Sequence, residues 1–247
     1  TRTIFGDTGQ IGGRITGAGI FDHTLHGARF LAGNVAGSCV VGRPCRKPCE
    51  TAAAFAGDIG ITSSLVDADD VSNYQRAGMQ GPDGGDPELR NRDLNALVFY
   101  LRALAVPAAR DVGSMRIAKG FQYFDEVGCS GCHRPEFETA VLTHMPALSN
   151  QTIHPFTDLL LHDMGEALAD GRPDFEASGR EWRTPPLWGI GLVERVNGHT
   201  FLLHDGRARN VEEAILWHGG EAEVSKRRFM ALDEAKRDAL MAFVSSL

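Results

Sequence analysis

Apolar residues recur at helical spacing in four stretches of this chain, and each stretch predicts an amphipathic helix. The first predicted helix covers residues 93–105, and the second covers residues 114–126. The third begins at Asn210, a residue type that commonly caps the start of a helix. The fourth runs from about Asp233 to the last residue. Together these stretches predict a mainly α fold.

The rest of the chain lacks a sustained apolar period. Residues 134–209 are rich in proline, which predicts long irregular loops. Residues 1–50 are rich in glycine, and no helix is assigned there. We therefore divide the chain into residues 1–110, an N-terminal partial region of uncertain fold with one helix near 93–105, and residues 111–247.

The composition is that of a folded protein with a modest acidic excess. Hydrophobic residues make up 43% of the chain, and the formal net charge is -7. The negative charge argues against nucleic-acid binding. No apolar run approaches the roughly 20 residues that a transmembrane helix needs. The first residues lack Met and the layout of a secretory signal, so we interpret the chain as a mature form or a fragment.

The second predicted helix leads into a Cys-x-x-Cys-His motif made of Cys129, Cys132 and His133. Two thiols three positions apart can each form a thioether with one vinyl group of a haem, and the next imidazole then faces the iron. The motif therefore predicts one covalently attached haem c per chain, with His133 as a ligand of its iron.

Two other chemistries use a cysteine pair at this spacing. A thioredoxin-like dithiol opens a helix after a strand, whereas here a helix precedes the pair. A zinc site needs further ligands at matching spacing, and the next histidine after His133 is His144. Cys39, Cys45 and Cys49 have no histidine between them and are interpreted as free thiols, or as one disulfide and one thiol.

Two of the predicted helices carry complementary residues. Gly120 and Phe124 lie one turn apart on the helix before the motif, and Leu240, Phe243 and Val244 share a stripe of the last helix. A glycine on one helix lets a bulky residue of another approach closely. This pairing is similar to the core of class I cytochrome c domains. We therefore expect the C-terminal region to form a cytochrome c-like haem domain with long irregular loops.

A family resemblance is carried by residues 153–164, 181–191 and 203–222. From about Thr51 to the end, the chain resembles the bacterial di-haem oxidoreductases, a thiol oxidoreductase-like and peroxidase-like group related to di-haem cytochrome c peroxidases. Those relatives carry two Cys-x-x-Cys-His motifs, whereas this chain carries one. The resemblance implies that this chain is the C-terminal, electron-transferring haem domain and that a second haem domain is missing upstream.

A second axial ligand is expected opposite His133. The relatives place it at the end of the short helix that follows a His-Asp-Gly element, which implies His218 here. His218 also shares a helical face with Ala214 and Ile215, so it should point inward. Met164 is the alternative, because axial haem ligands are commonly His or Met. The remaining candidates by residue type are Met145, His162, His204, Met230 and Met241.

The resemblance also assigns two residues to cofactor binding. It implies that His204, in the His-Asp-Gly element, lies beside the C-terminal haem and forms a hydrogen bond to the loop or to a propionate. Arg207 is expected to pair with a haem propionate, because guanidinium groups bind carboxylates through charge-assisted hydrogen bonds. No catalytic residue is assigned.

The leading hypothesis is a c-type cytochrome domain that relays electrons between a redox donor or acceptor protein and a second haem. One alternative is a haem peroxidase acting on hydrogen peroxide, which requires an open distal site. The other is a non-haem Cys-x-x-Cys dithiol or zinc-binding module. Haem c is attached on the outer side of the cytoplasmic membrane, so the resemblance implies a periplasmic location.

Overall fold

The computed structural model describes residues 2–3, 14–15, 52, 55–56, 60–66, 84–143, 145–173 and 177–247. Cys39, Cys45 and Cys49 lie outside these residues, as does His144. The structure divides into two compact units, which are described separately. The larger unit contains residues 105–173 and 177–247, and the smaller contains the first long helix.

In the smaller unit, α1 (Asn91–Ala103) buries Leu94 and Val98 on its inner face. The predicted helix near 93–105 is confirmed, but it begins two residues earlier. The carbonyl of Arg90 accepts the amide of Leu94 at 2.9 Å and so forms the first helical hydrogen bond.

The described part of the larger unit contains five α-helices. Two of them, α3 (Val193–Asn197) and α5 (Glu223–Met230), were not predicted, because they are mostly polar and contain only two and three apolar residues. The five helices are α2 (Met115–Glu126), α3 (Val193–Asn197), α4 (Val211–Trp217), α5 (Glu223–Met230) and α6 (Glu234–Ser246).

The three predicted helices of the larger unit begin where their sequences place a capping side chain. Ser114, Asn210 and Asp233 each accept a backbone N–H from the first turn, at donor–acceptor distances of 2.8–3.3 Å. Such a cap stabilises a helix start by about 1 kcal/mol. The caps therefore fix the first residues of α2, α4 and α6.

The core of the larger unit is centred on the crossing of α2 and α6. A Cβ atom on Gly120 would overlap the backbone carbonyl of Ala239 and lie 2.6 Å from the Cβ of Phe243. The two helices therefore touch backbone to backbone at this glycine, as their sequences predicted. The buried core residues are Phe124, Val127, Phe156, Leu187, Phe229, Leu240, Phe243, Val244 and Leu247.

The segment predicted as irregular also contains short strands. In one sheet β5 (Leu160–Asp163) lies between β1 (Arg2–Thr3) and β6 (Glu181–Arg183), antiparallel to both. In the other, β3 (Phe137–Thr139) pairs in parallel with β2 (Arg14–Ile15) and antiparallel with β4 (Thr152–Ile153). Strands of two to four residues are too short for an alternating pattern to predict.

The mainly α prediction holds for the described elements, since helical residues outnumber strand residues. The loops between β3 and α4 are long but ordered by short 3₁₀ turns. Within the described residues, no helix is both long and apolar enough to span a membrane.

Candidate functional site

The Cys-x-x-Cys-His motif lies at the end of α2. Gly128 follows the helix with φ of 94°, a left-handed conformation that glycine adopts without steric cost. A 3₁₀ turn, Cys129–Gly131, comes next, and the amide of His133 donates to the carbonyl of Cys129 at 2.9 Å. The helix end and this turn bring Cys129, Cys132 and His133 together on a compact loop.

The imidazole of His133 is oriented by the backbone. Its Nδ1 donates a hydrogen bond to the carbonyl oxygen of Phe156 at 3.0 Å, which leaves Nε2 as the ring atom that can bind a metal. Burial, together with the nearby His218, lowers the pKa of His133 to about 4. At neutral pH the ring is therefore uncharged, as a metal ligand must be.

The carbonyl that orients His133 comes from a strained residue. Phe156 is buried and has φ of 54°, a left-handed conformation that is uncommon for a bulky residue. Its ring packs edge-on against Phe124 and Phe243, at centroid distances of 6.1 and 5.5 Å. Phe124 in turn lies 6.2 Å from the His133 ring. Aromatic packing thus holds the backbone conformation that His133 needs.

His218 is placed at the C-terminal cap of α4. Its Nδ1 donates to the carbonyl of Ala214 at 2.6 Å, which again leaves Nε2 as the ring atom that could bind a metal. Burial lowers the pKa of His218, so this ring is also neutral at neutral pH. His218 lies close enough to His133 to shift the pKa of His133 electrostatically. The structure therefore brings together two neutral imidazoles, each held by a backbone carbonyl.

Met164 lies beside the His218 segment. It directly follows β5, and its amide donates to the carbonyl of Arg180 at 2.9 Å. A Cβ atom on Gly219 would come within 2.9 Å of the Met164 carbonyl oxygen. The two leading candidates for the second ligand therefore come from neighbouring backbone segments.

Three other predicted candidates have contacts or an exposure that argue against ligation. His162 uses both ring nitrogens, Nε2 with Asp158 at 2.8 Å and Nδ1 with Glu221 at 2.9 Å. Met241 packs against the helical core. The side chain of Met230 is 56% exposed, which is unfavourable for a ligand inside a haem pocket.

The residues predicted to bind the haem periphery lie beside α4. The ring of His204 stacks on the indole of Trp182 at a centroid distance of 3.7 Å and an interplanar angle of 13°. Arg207 donates from Nε to Asp205 at 2.6 Å and lies 5.0 Å from the ring centroid of Trp217. These contacts order the loop before α4, and the predicted contacts of His204 and Arg207 with haem remain predictions.

An ionic cluster centred on the buried His162 lies next to the motif and was not predicted. It consists of Asp158, His162 and Glu221, and Nδ1 of His162 lies 3.7 Å from Sγ of Cys132. Hydrogen bonds to Asp158, Cys132 and Glu221 raise the pKa of His162 to about 11, so this ring is a cation at neutral pH. The only sequence signal was the polar run His162-Asp163 inside an apolar strand.

The cysteine environment bears on the dithiol alternative. Burial, reinforced by Cys132, raises the pKa of the Cys129 thiol to about 12. A reactive dithiol needs a thiol whose pKa is lowered, because the thiolate is the nucleophile. Cys129 in this structure lacks that property.

The zinc alternative has one structural point in its favour. Among the described residues, Cys132, Asp158 and His162 present donor atoms that all lie within 4.8 Å of one another. This group excludes Cys129 and His133, however, and both nitrogens of His162 already face carboxylates. It therefore does not explain the motif.

A family model described as "di-haem oxidoreductase, putative peroxidase" matches residues 48–247. The chain belongs to this family, so its class is haem-dependent oxidoreductase and haem is the cofactor that the family implies. The match begins close to Thr51, where the sequence resemblance was predicted to start. Searches of curated proteins and of solved structures found no significant match.

The residues present fit a haem c. Two unbridged cysteines provide the attachment points, and a histidine follows them with Nδ1 tied to a carbonyl. A second neutral imidazole lies near the first. Apolar side chains lie in the same region, including Phe121, whose ring packs against that of Phe156 at a centroid distance of 6.3 Å.

Proposed function

We propose that this chain is a c-type cytochrome domain that carries one haem c and transfers electrons as part of a di-haem oxidoreductase. Cys129 and Cys132 would hold the haem through thioether bonds, and His133 and His218 would bind its iron. The observation that carries this proposal is the pair of neutral, backbone-anchored imidazoles at His133 and His218. When bound, the haem supplies one-electron chemistry between ferric and ferrous iron.

The chain's own residues prepare the site for electron transfer. Phe156 and Ala214 hold the two imidazoles through their carbonyls, so little movement is needed when the iron changes its charge. The packed Phe124, Phe156 and Phe243 rings exclude water from the side of His133. A dry, rigid surrounding lowers the reorganisation that accompanies each electron transfer. The arrangement therefore favours a relay over an open catalytic centre.

The remaining predictions belong to this proposal. Residues 111–247 form the cytochrome c-like domain, and the protein works in the periplasm. Its partners are a redox donor or acceptor protein and a second haem centre, because the family is di-haem and this sequence has one attachment motif. His204 and Arg207 contact the haem periphery.

A haem peroxidase is the second candidate, and the family description favours it. It would need an iron whose distal position is open to hydrogen peroxide. If His218 does not bind the iron, its imidazole would stand close to that open position. The two candidates therefore differ in one measurable property, the coordination of the iron.

The haem proposal is tested on the protein produced in cells that attach haem c. We expect one haem per chain in a pyridine haemochrome assay, with a c-type spectrum that survives denaturation. A chain that contains zinc and no haem under these conditions would refute the proposal and support the cluster at Cys132, Asp158 and His162.

Replacing His218 by alanine should convert the haem from low-spin to high-spin, because the iron loses its second strong ligand. Met164→Ala is the matched variant, and we expect it to keep the low-spin spectrum. Both are checked by optical and electron paramagnetic resonance spectra of the ferric protein. Loss of the low-spin signal in Met164→Ala alone would identify Met164 as the ligand. A high-spin wild-type spectrum would favour the peroxidase.

A further inference from the structure

Two short segments of the larger unit approach each other backbone to backbone. One is residues 162–165, at the end of β5, and the other is residues 218–221, after α4. A Cβ atom on Gly220 would overlap the Asp163 carbonyl, and one on Gly165 would lie 2.9 Å from the Gly220 amide nitrogen. Both glycines also have positive φ, 79° at Gly165 and 53° at Gly220. Larger residues would hold the segments apart.

Glu221 fastens the two segments together. One carboxylate oxygen accepts the amide of Asp163 at 3.0 Å, and the other accepts Nδ1 of His162 at 2.9 Å. The opposite ring nitrogen of His162 donates to Asp158 at 2.8 Å. We call Asp158, His162 and Glu221 the clamp. It ties β5 to the turn three residues beyond His218.

The clamp also contacts the attachment loop. His162 is buried, and its Nδ1 lies 3.7 Å from Sγ of Cys132. The clamp thus spans from an attachment cysteine to the segment that carries His218. Main-chain contacts at Gly219 and Gly220 bring that segment close to β5, and the clamp fixes it there.

We infer that His162 and Glu221 are positioning residues that hold His218 in place as the distal iron ligand. This inference rests on the proposed haem function. A buried ring with one carboxylate on each nitrogen cannot rotate without losing two charge-assisted hydrogen bonds. Without Glu221, buried His162 keeps a carboxylate partner on one nitrogen only and the Asp163 amide loses its acceptor, so the contact between the two segments is weakened. The turn after α4 is therefore held in one position, and His218 with it.

The test compares ferric Glu221→Ala and His162→Ala with the wild-type holoprotein. Each substitution should shift the equilibrium between His218-bound and His218-free iron about tenfold or more toward the free form, the usual size of outer-shell effects at metal sites. The readouts are the low-spin fraction and the midpoint potential. Glu223→Ala is the control, because Glu223 pairs with Lys226 and Arg227 and lies two residues from Glu221. It should leave both readouts unchanged.

Further measurements separate positioning from general damage. The amide of Asp163 should exchange its hydrogen faster in Glu221→Ala than in wild type, because its acceptor is gone. Glu221→Gln keeps one acceptor oxygen and should restore part of the low-spin signal, which a general folding defect would not allow. If Glu221→Ala does not fold, the low-spin fraction of Glu221→Gln is compared with that of wild type instead. In the double variant His162→Ala with Glu221→Ala, the low-spin fraction should fall no further than in the more strongly affected single variant, because the two residues act as one unit.

The outcomes are distinct. Haem-loaded Glu221→Ala, Glu221→Gln and His162→Ala with wild-type low-spin fractions and potentials would overturn the clamp inference and leave the haem proposal standing. A wild-type protein without covalent haem would refute the proposed function first.

Discussion

A chain with both Cys129 and Cys132 replaced by alanine is expected to carry no covalent haem when it is produced in cells that attach haem c. Each thioether needs one of these sulfurs, and no other cysteine lies within the motif. The measurement is haem staining after denaturing electrophoresis, which detects only covalently bound haem. Wild type should stain, each single alanine variant should stain weakly or not at all, and the double variant should not stain.

Ser130→Ala is the matched control, since Ser130 lies between the two cysteines and its hydroxyl bonds to Asp125 outside the motif. Its staining should equal that of wild type. A double variant that stains as strongly as wild type would show that the haem is attached elsewhere. In that case the assignment of the motif is wrong.

Replacing Gly120 by alanine should strongly destabilise the larger unit. The new methyl group would overlap the carbonyl of Ala239 and press against Phe243. Backbone cannot yield as a flexible side chain can, so α2 and α6 must separate. Overpacking costs about 1–3 kcal/mol and occasionally more, against a total stability of about 5–15 kcal/mol for a domain. We expect a loss of about 3 kcal/mol or an unfolded unit.

Urea unfolding followed by circular dichroism measures this loss. Gly113→Ala provides the comparison, because a Cβ atom at Gly113, just before α2, would meet no atom within 4 Å. Its unfolding free energy should stay within about 0.5 kcal/mol of wild type, as is usual for surface substitutions. Equal unfolding free energies of the two variants would mean that α2 and α6 are not in backbone contact at Gly120.

The helical core could be predicted because its signals are local. The apolar stripe and the caps at Ser114 and Asp233 lie within single helices, and the Gly120–Phe243 contact follows from a known way of packing two helices. The inward orientation of His218 could be predicted from the helical face that it shares with Ala214 and Ile215. The proximity of His218 to His133 was expected only from the family resemblance.

The sheets and the clamp could not be predicted, because their information is spread along the chain. Strand β5 has four residues and partners on either side that are far away in sequence. His162 was interpreted as one of several ligand candidates, since a histidine in an apolar strand gives no sign of its partners. Glu221 lies 59 residues from His162, and nothing in the sequence links the two.

The backbone anchors of His133 and His218 have a consequence for variation within the family. Both acceptors are main-chain carbonyls, of Phe156 and Ala214. A point substitution at either position changes the side chain but leaves the acceptor oxygen present. The backbone conformation therefore sets the orientation of the two imidazoles. The side chains at positions 156 and 214 can differ between relatives as long as this conformation is preserved.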